Sequence, residues 1–148
     1  MASTEYLSHL ANIRLFNSCS QRELAKIARA TDEVTIPAGK LLMEQGQSGR
    51  EAFVIVSGKA SVIINGITVA ELEAGQHVGE LALLDGGPRT ATVTALTDME
   101  LLVISQRAFF ALLDEVPGLA RKILTSLACM VRDLDERLGT YDAAATHP

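Results

Sequence analysis

Tryptophan is missing from this 148-residue chain, and Phe, Trp and Tyr together make up only 4% of it. A core built from it must be aliphatic. The hydrophobic content of 48% is too high for a disordered chain. Cysteine is nearly as scarce: Cys19 and Cys129 stand far apart, with no metal or redox spacing around either. They read as two reduced thiols, and a disulfide framework is ruled out. Positive charge is short, with 13 Lys and Arg against 18 Asp and Glu and a net charge of −5. An acidic chain lacks the broad basic surface that nucleic acid requires, although a local basic patch remains compatible with it. No run approaches the ~18 uninterrupted apolar residues of a membrane span. Residues 1–6 show no basic stretch leading into an apolar one, so no secretory leader is expected. A cytoplasmic protein with no membrane span is the expectation. His9, His77 and His147 are scattered, without metal-ligand spacing. Gly46 to Arg50 lacks the Gly-Lys-Ser/Thr of an ATP-type phosphate loop, and no serine sits in a nucleophile elbow. Neither catalytic residues, a metal nor a cofactor is expected.

The length suits a single domain, expected over residues 5–139. Residues 5–32 read as helical. Tyr6 to Ile13 is a short apolar segment, and Ser20-Gln21-Arg22-Glu23 has the form of a capping box ahead of a helix over about Gln21 to Ala30. From 33 to 105 the pattern changes to short β-branched runs separated by glycines. The runs are Val34–Ile36, Lys40–Glu44, Ala52–Val56, Ser61–Ile64, Ile67–Leu72, Ala91–Ala95 and Leu101–Ile104. Asn65-Gly66 is a strong two-residue hairpin signal. No helix alternates with these strands, which argues for a sandwich or barrel over a doubly wound sheet. Residues 106–139 are helical again. Ser105 can cap a first helix to about Asp114, and a longer one follows Pro117 and is expected to end at Gly139. Residues 140–148 read as a flexible tail.

Residues 78–91 interrupt the strands with Val-Gly-Glu-Leu-Ala-Leu-Leu-Asp-Gly-Gly-Pro-Arg-Thr-Ala. Glu80 to Leu84 are good helix formers, enough for one turn after Gly79. Such a turn presents unpaired backbone N–H groups to an anion. Gly86-Gly87-Pro88 forces a tight return that can bring Arg89 over the same point, and a guanidinium beside backbone donors suits a phosphate. Glu80 beside that site would repel phosphate unless it has a polar partner of its own, such as a sugar hydroxyl. The same residues also fit an exposed turn with a solvated Arg and Glu.

Gly79-Glu80-Leu81-Ala82-Leu83 followed by Pro88-Arg89-Thr90-Ala91-Thr92 resembles the phosphate-binding cassette of cyclic nucleotide-binding domains. These are found in catabolite activator proteins, protein kinase A regulatory subunits and cyclic nucleotide-gated channels. Gly39, Gly46, Gly49, Phe53, Ile55 and Gly58 match the same family's glycine frame. The resemblance implies an α+β fold: an eight-stranded antiparallel, jelly-roll-like β-roll with N-terminal helices, a short cassette helix and a long C-terminal helix. It implies that Arg89 pairs with the cyclic phosphate and that backbone N–H groups near Ala82 and Ala91 face it. Gly79 and Leu81 belong to the same cassette, and Glu80 would accept from the ribose 2′-hydroxyl. Val62, Leu72 and Val78 would line the apolar side near ribose and base. The resemblance implies cAMP as the ligand, with cGMP the alternative. Thr90 follows the arginine where many cAMP-selective eukaryotic domains carry Ala, and its hydroxyl suits a guanine amino group or the phosphate. A module that keeps the fold without nucleotide, and a nucleotide-hydrolysing enzyme, are the rival readings.

The C-terminal helix carries a heptad, with Leu124, Val131 and Leu138 at one seam position and Ala120, Leu127 and Leu134 at the other. It reads either as a homodimer helix, as in the catabolite activators, or as a helix packed on its own β-roll. Leu134 and Asp135 stand where the activators contact the base. Asp135 either accepts from guanine or is solvated. Too few residues follow Gly139 for a DNA-binding domain, which needs about 50. The expectation is therefore no direct DNA binding, and a signal passed by the C-terminal helix to a partner chain, an effector not named by the sequence.

Overall fold

The structure is a computed structural model that describes residues 4–146. Helix α1 (Thr4–Ala11) and a 3-10 turn (Arg14–Phe16) precede helix α2 (Gln21–Arg29). The capping box forms as expected: the Glu23 N–H donates to Ser20 Oγ at 3.2 Å, and the Ser20 N–H donates to Glu23 Oε1 at 2.8 Å.

Eight strands follow: β1 (Asp32–Ile36), β2 (Leu41–Met43), β3 (Glu51–Ser57), β4 (Ala60–Ile64), β5 (Ile67–Leu72), β6 (His77–Val78), β7 (Thr92–Ala95) and β8 (Met99–Ser105). They form two antiparallel sheets, ordered β1-β8-β3-β6 and β2-β7-β4-β5. The seven β-branched runs all appear as strands. The eighth, β6, falls on residues whose sequence reads as a turn. His77 pairs with Val54 and Val78 with Phe53, so long-range pairing makes this strand without a local signal. The β4–β5 hairpin turns at Asn65 and Gly66 with φ of 52° and 79°, the left-handed pair of a tight hairpin.

Strands β3 and β8 are buried on both faces, which explains their near-continuous apolar sequence. Phe53, Ile55, Met99, Leu101 and Val103 point into the roll and meet Ile36, Met43, Ala60 and Val93. The alternate residues Ala52, Val54, Leu102 and Ile104 face the helical layer, against Leu10, Ile13, Phe16, Leu24 and Ile27. Each fully buried Leu or Ile contributes roughly 1.5–3 kcal/mol.

Helix α3 (Ala82–Asp85) lies between β6 and β7, and α4 (Gln106–Glu115) begins where Ser105 Oγ accepts from the Ala108 N–H at 3.1 Å. Helix α5 (Leu119–Thr146) departs from expectation. It runs through Gly139 instead of ending there, and residues 140–146, expected as tail, continue the helix. Gly139 is absent from the positive-φ glycines, so it supplies no C-terminal cap. A glycine within a helix costs only about 1 kcal/mol against alanine, and good helix formers follow it at 143–145. Residues 147 and 148 lie outside the described ones.

One face of α5 packs on the N-terminal layer through the buried Leu119, Ile123 and Ser126. Ion pairs Lys122–Glu23 and Arg14–Asp133 fasten it there, and Ser126 Oγ donates to Asn17 Oδ1 at 3.1 Å. The opposite face carries Leu124, Val131, Leu134 and Leu138, each 55–66% exposed. Leu127, between them in the heptad, is half-buried and packs against the helical core, so the seam is partly exposed and partly packed on its own chain. Cys19 and Cys129 are both free thiols. No helix among the described residues is long and apolar enough to cross a membrane.

Candidate functional site

Two loops and one strand end build the site. Gly79, at φ 85°, turns the chain out of β6. A tightened turn follows, with Ala82 N–H to Gly79 O at 3.1 Å and Leu83 N–H to Glu80 O at 3.2 Å. The helical turn expected over Glu80–Leu84 is thus displaced to Ala82–Asp85. The Ala82 amide, which the resemblance turns toward a phosphate, is engaged within this turn. Gly86 ends α3 in the left-handed region at φ 62°. Asp85 Oδ1 accepts from the Gly87 N–H at 2.8 Å and fixes the return.

The return strand then zips to the glycine loop after β2. The Arg89 N–H donates to Gln47 O, and the Gly46 N–H donates to Arg89 O, both at 2.8 Å. This pairing delivers the Arg89 side chain inward. It is 9% exposed, and its guanidinium carbon lies 5.7 Å from the Phe53 ring centroid. Nη1 donates to the Glu51 carbonyl at 2.8 Å. A side chain at Gly49 would overlap the guanidinium, and a Cβ on Gly79 would come within 2.6 Å of Nη1. Both glycines make room for the arginine. Burial pulls the Arg89 pKa below its ordinary value, with the Glu51 carboxylate opposing the shift. The guanidinium has therefore lost water, and among the described residues it forms no salt bridge. Among the described residues, one of its five N–H donors has a hydrogen-bond acceptor, the Glu51 carbonyl.

A cavity of about 420 Å³ opens in front of it. Val78, Gly79, Glu80, Leu81, Ala82, Arg89 and Thr90 all line it, so seven of the sequence-derived site residues come together. Thr90 is exposed at the cavity and Ala91 is buried behind it, at 4%. Val62 and Leu72 lie outside this lining and pack, half-buried, against the core of the roll. The lining also holds Met43, His77, Asp85, Gly87 and Pro88, which the sequence reading did not place there. Met43 was within reach of a sequence argument, as an inward residue of β2. His77 was not, because its strand had no local signature. His77 Nε2 stands 3.8 Å from Glu80 Oε1. The arrangement can bind one anion on the guanidinium and one neutral donor on the Glu80 carboxylate.

Fold and site together describe a β-roll whose open cavity is lined by a buried guanidinium and a carboxylate. The model of the cyclic nucleotide-binding domain family matches residues 33–116, and the chain belongs to that family. It is 34% identical over 119 residues to a cAMP-dependent protein kinase regulatory subunit of Aspergillus niger, covering 79% of this chain but 29% of that subunit. The chain thus spans less than a third of that relative's length. Among solved structures, it resembles the N-terminal domain of a transcriptional regulator from Streptomyces coelicolor. The TM-score is 0.80 at 28% identity, covering 86% of this chain and 95% of that one. The regulatory domain of Toxoplasma gondii PKA, solved with cAMP, matches with a TM-score of 0.66 at 30% identity, covering 73% and 43%. The α+β β-roll with its flanking helices is the fold of these neighbours.

Proposed function

We propose that the chain is a cyclic nucleotide sensor that binds cAMP in the cavity before Arg89, with cGMP the competing ligand. The observation that carries this reading is the buried guanidinium, which lines an open cavity and forms no salt bridge among the described residues. A desolvated cation without a partner is costly, and an arriving phosphodiester supplies the missing charge. Glu80 accepts the ribose 2′-hydroxyl, and Val78 and Met43 offer apolar surface beside it.

The output is a population shift of α5. Among the described residues none of α5 lines the cavity, and the helix is instead fastened to α2 and the 3-10 turn. Nucleotide that brings α5 toward the base must weaken those contacts, and a second chain reads the change. That second chain is first another copy of this one, joined along the exposed Leu124–Leu138 stripe, and then an effector protein.

Calorimetric titration of cAMP and cGMP, in parallel on the parent and on Arg89→Ala, tests the proposal. Saturable binding that is lost in the variant supports it. No binding by the parent leaves a module that keeps the fold without nucleotide, and conversion of cAMP to AMP would make it an enzyme.

A further inference from the structure

Glu80 occupies an awkward place for a receptor of anions. It lines the same cavity as Arg89, so a bound phosphodiester brings a negative charge close to its carboxylate. Asp85 lines that cavity as well, although its Oδ1 is turned to the Gly87 N–H. Formally, Glu80, Asp85 and Arg89 sum to one negative charge before any ligand arrives.

His77 is the remaining ionisable group in the lining. Its Nε2 is 3.8 Å from Glu80 Oε1, and the two side chains are 23% and 24% exposed. The backbone that carries the imidazole is fixed to β3. Its residue pairs with Val54 of β3, and the Ile55 N–H donates to the adjoining Gln76 O at 2.9 Å. The positive φ of Gly79 then folds residue 80 back beside residue 77. Of the ionisable residues on the adjoining elements, Glu51 and Glu73 are of the same sign as Glu80, and His9 stands beside Glu5. On β3, Glu51 offers its carbonyl to Arg89. Glu73 lies in the preceding turn, where its N–H is bonded by Gln76 Oε1. His9 of α1 lies against Gly75 and within 3.4 Å of Glu5.

We propose that His77 is a positioning residue for Glu80: as imidazolium it orients the carboxylate toward a ribose 2′-hydroxyl and offsets its repulsion of the phosphodiester. This inference rests on the reading of the cavity as a cyclic nucleotide site, and adds to it a proton. An anion arriving beside an imidazole favours the charged form. Histidine changes charge between about pH 5 and 8, so ligand binding near neutral pH draws a proton onto His77. The sign follows: affinity is greater where the imidazole is already charged, and falls as pH rises.

The test is calorimetric titration of the full chain with cAMP and with 2′-deoxy-cAMP, at about pH 6 and about pH 8, in two buffers of different ionisation enthalpy. The parent should bind cAMP about two- to fivefold more tightly at the lower pH, the effect of one partly exposed ion pair, and take up protons on binding. The slope should shrink with 2′-deoxy-cAMP, a comparison that needs no variant. His77→Gln, which keeps a neutral donor, should lose both the slope and the proton uptake. His77→Phe should bind cAMP more weakly at both pH values. A parent that binds cAMP with no proton uptake, or with a pH slope unchanged in His77→Gln or equal for the two ligands, overturns the inference and leaves the nucleotide reading standing. A parent that binds neither cAMP nor cGMP overturns both.

Discussion

Arg89 fills the space that a side chain at Gly49 would need: a Cβ built there overlaps the guanidinium. Gly49 has no positive φ, so its backbone accepts alanine without strain. The reason for glycine at 49 is the arginine, forty residues on. Gly49→Ala should therefore act as a ligand-site variant. It should lower cAMP affinity by at least ~10-fold by displacing the charged donor, while overpacking costs the fold about 1–3 kcal/mol. Calorimetry and thermal melting read the two effects separately. Parental affinity in this variant would show that the seat of Arg89 is irrelevant to binding.

Arg89 and Glu80 should differ in weight. Arg89→Ala removes the only Lys or Arg of the lining among the described residues and should cost at least ~10-fold in cAMP affinity. It should also abolish the rise in melting temperature that saturating cAMP gives the parent. Glu80→Ala should cost less, since it also removes a repulsion from phosphate. A larger loss in Glu80→Ala than in Arg89→Ala would reverse this ranking.

Thr90 is exposed at the cavity, one residue after the arginine. If its hydroxyl meets a guanine amino group, Thr90→Ala weakens cGMP more than cAMP, by the worth of one hydrogen bond, about 0.5–1.5 kcal/mol. Parallel titrations measure the difference. Equal losses for the two ligands would assign the hydroxyl to the phosphate.

Local signals made most of this architecture readable. Ser20 and Glu23 announce α2, Asn65-Gly66 announces a hairpin, and the apolar runs of β3 and β8 announce strands. What escaped the sequence is what only long-range contact creates. Strand β6 is two residues long and exists because β3 offers it partners. Phe53 and Gly49 matched a family frame, but their contact with Arg89 spans some forty residues and has no local periodicity. Gly139 misled because a glycine ends a helix only when the chain adopts a left-handed turn there, and this one does not. Val62 and Leu72, read as ligand-side residues, pack on the core because any roll requires apolar residues at such positions.

Glu23 links the folded core to acid stability. Its carboxyl is held below the ordinary value by its bond to Lys122 and by the Ser20 N–H, against the opposing effect of burial. A carboxyl lowered on folding stabilises the native state above its unfolded value, about 4.3, and loses that contribution as pH falls through the lower folded one. Urea midpoints should therefore decline from about pH 5 downward, and Lys122→Met should flatten part of the decline. An identical pH profile in the variant would remove Glu23 from the acid response.

The two faces of α5 make opposite predictions for a buried charge. Ile123 is 3% exposed and packs in the helical core, so Ile123→Glu should destabilise the chain whatever its oligomeric state. Val131 is 55% exposed within the stripe of Leu124, Leu134 and Leu138, and touches none of that core. Val131→Glu should leave the chain folded, with its melting temperature lowered only by the loss of association. A stripe of this kind is a poor monomer surface, and its seam spacing of four and three is that of paired helices. About three heptads are marginal alone, so the rolls must add to the contact. Light scattering at tens of micromolar should therefore find the parent as a dimer and Val131→Glu as a folded monomer. A parent that is monomeric both with and without cAMP would leave the stripe for a different chain.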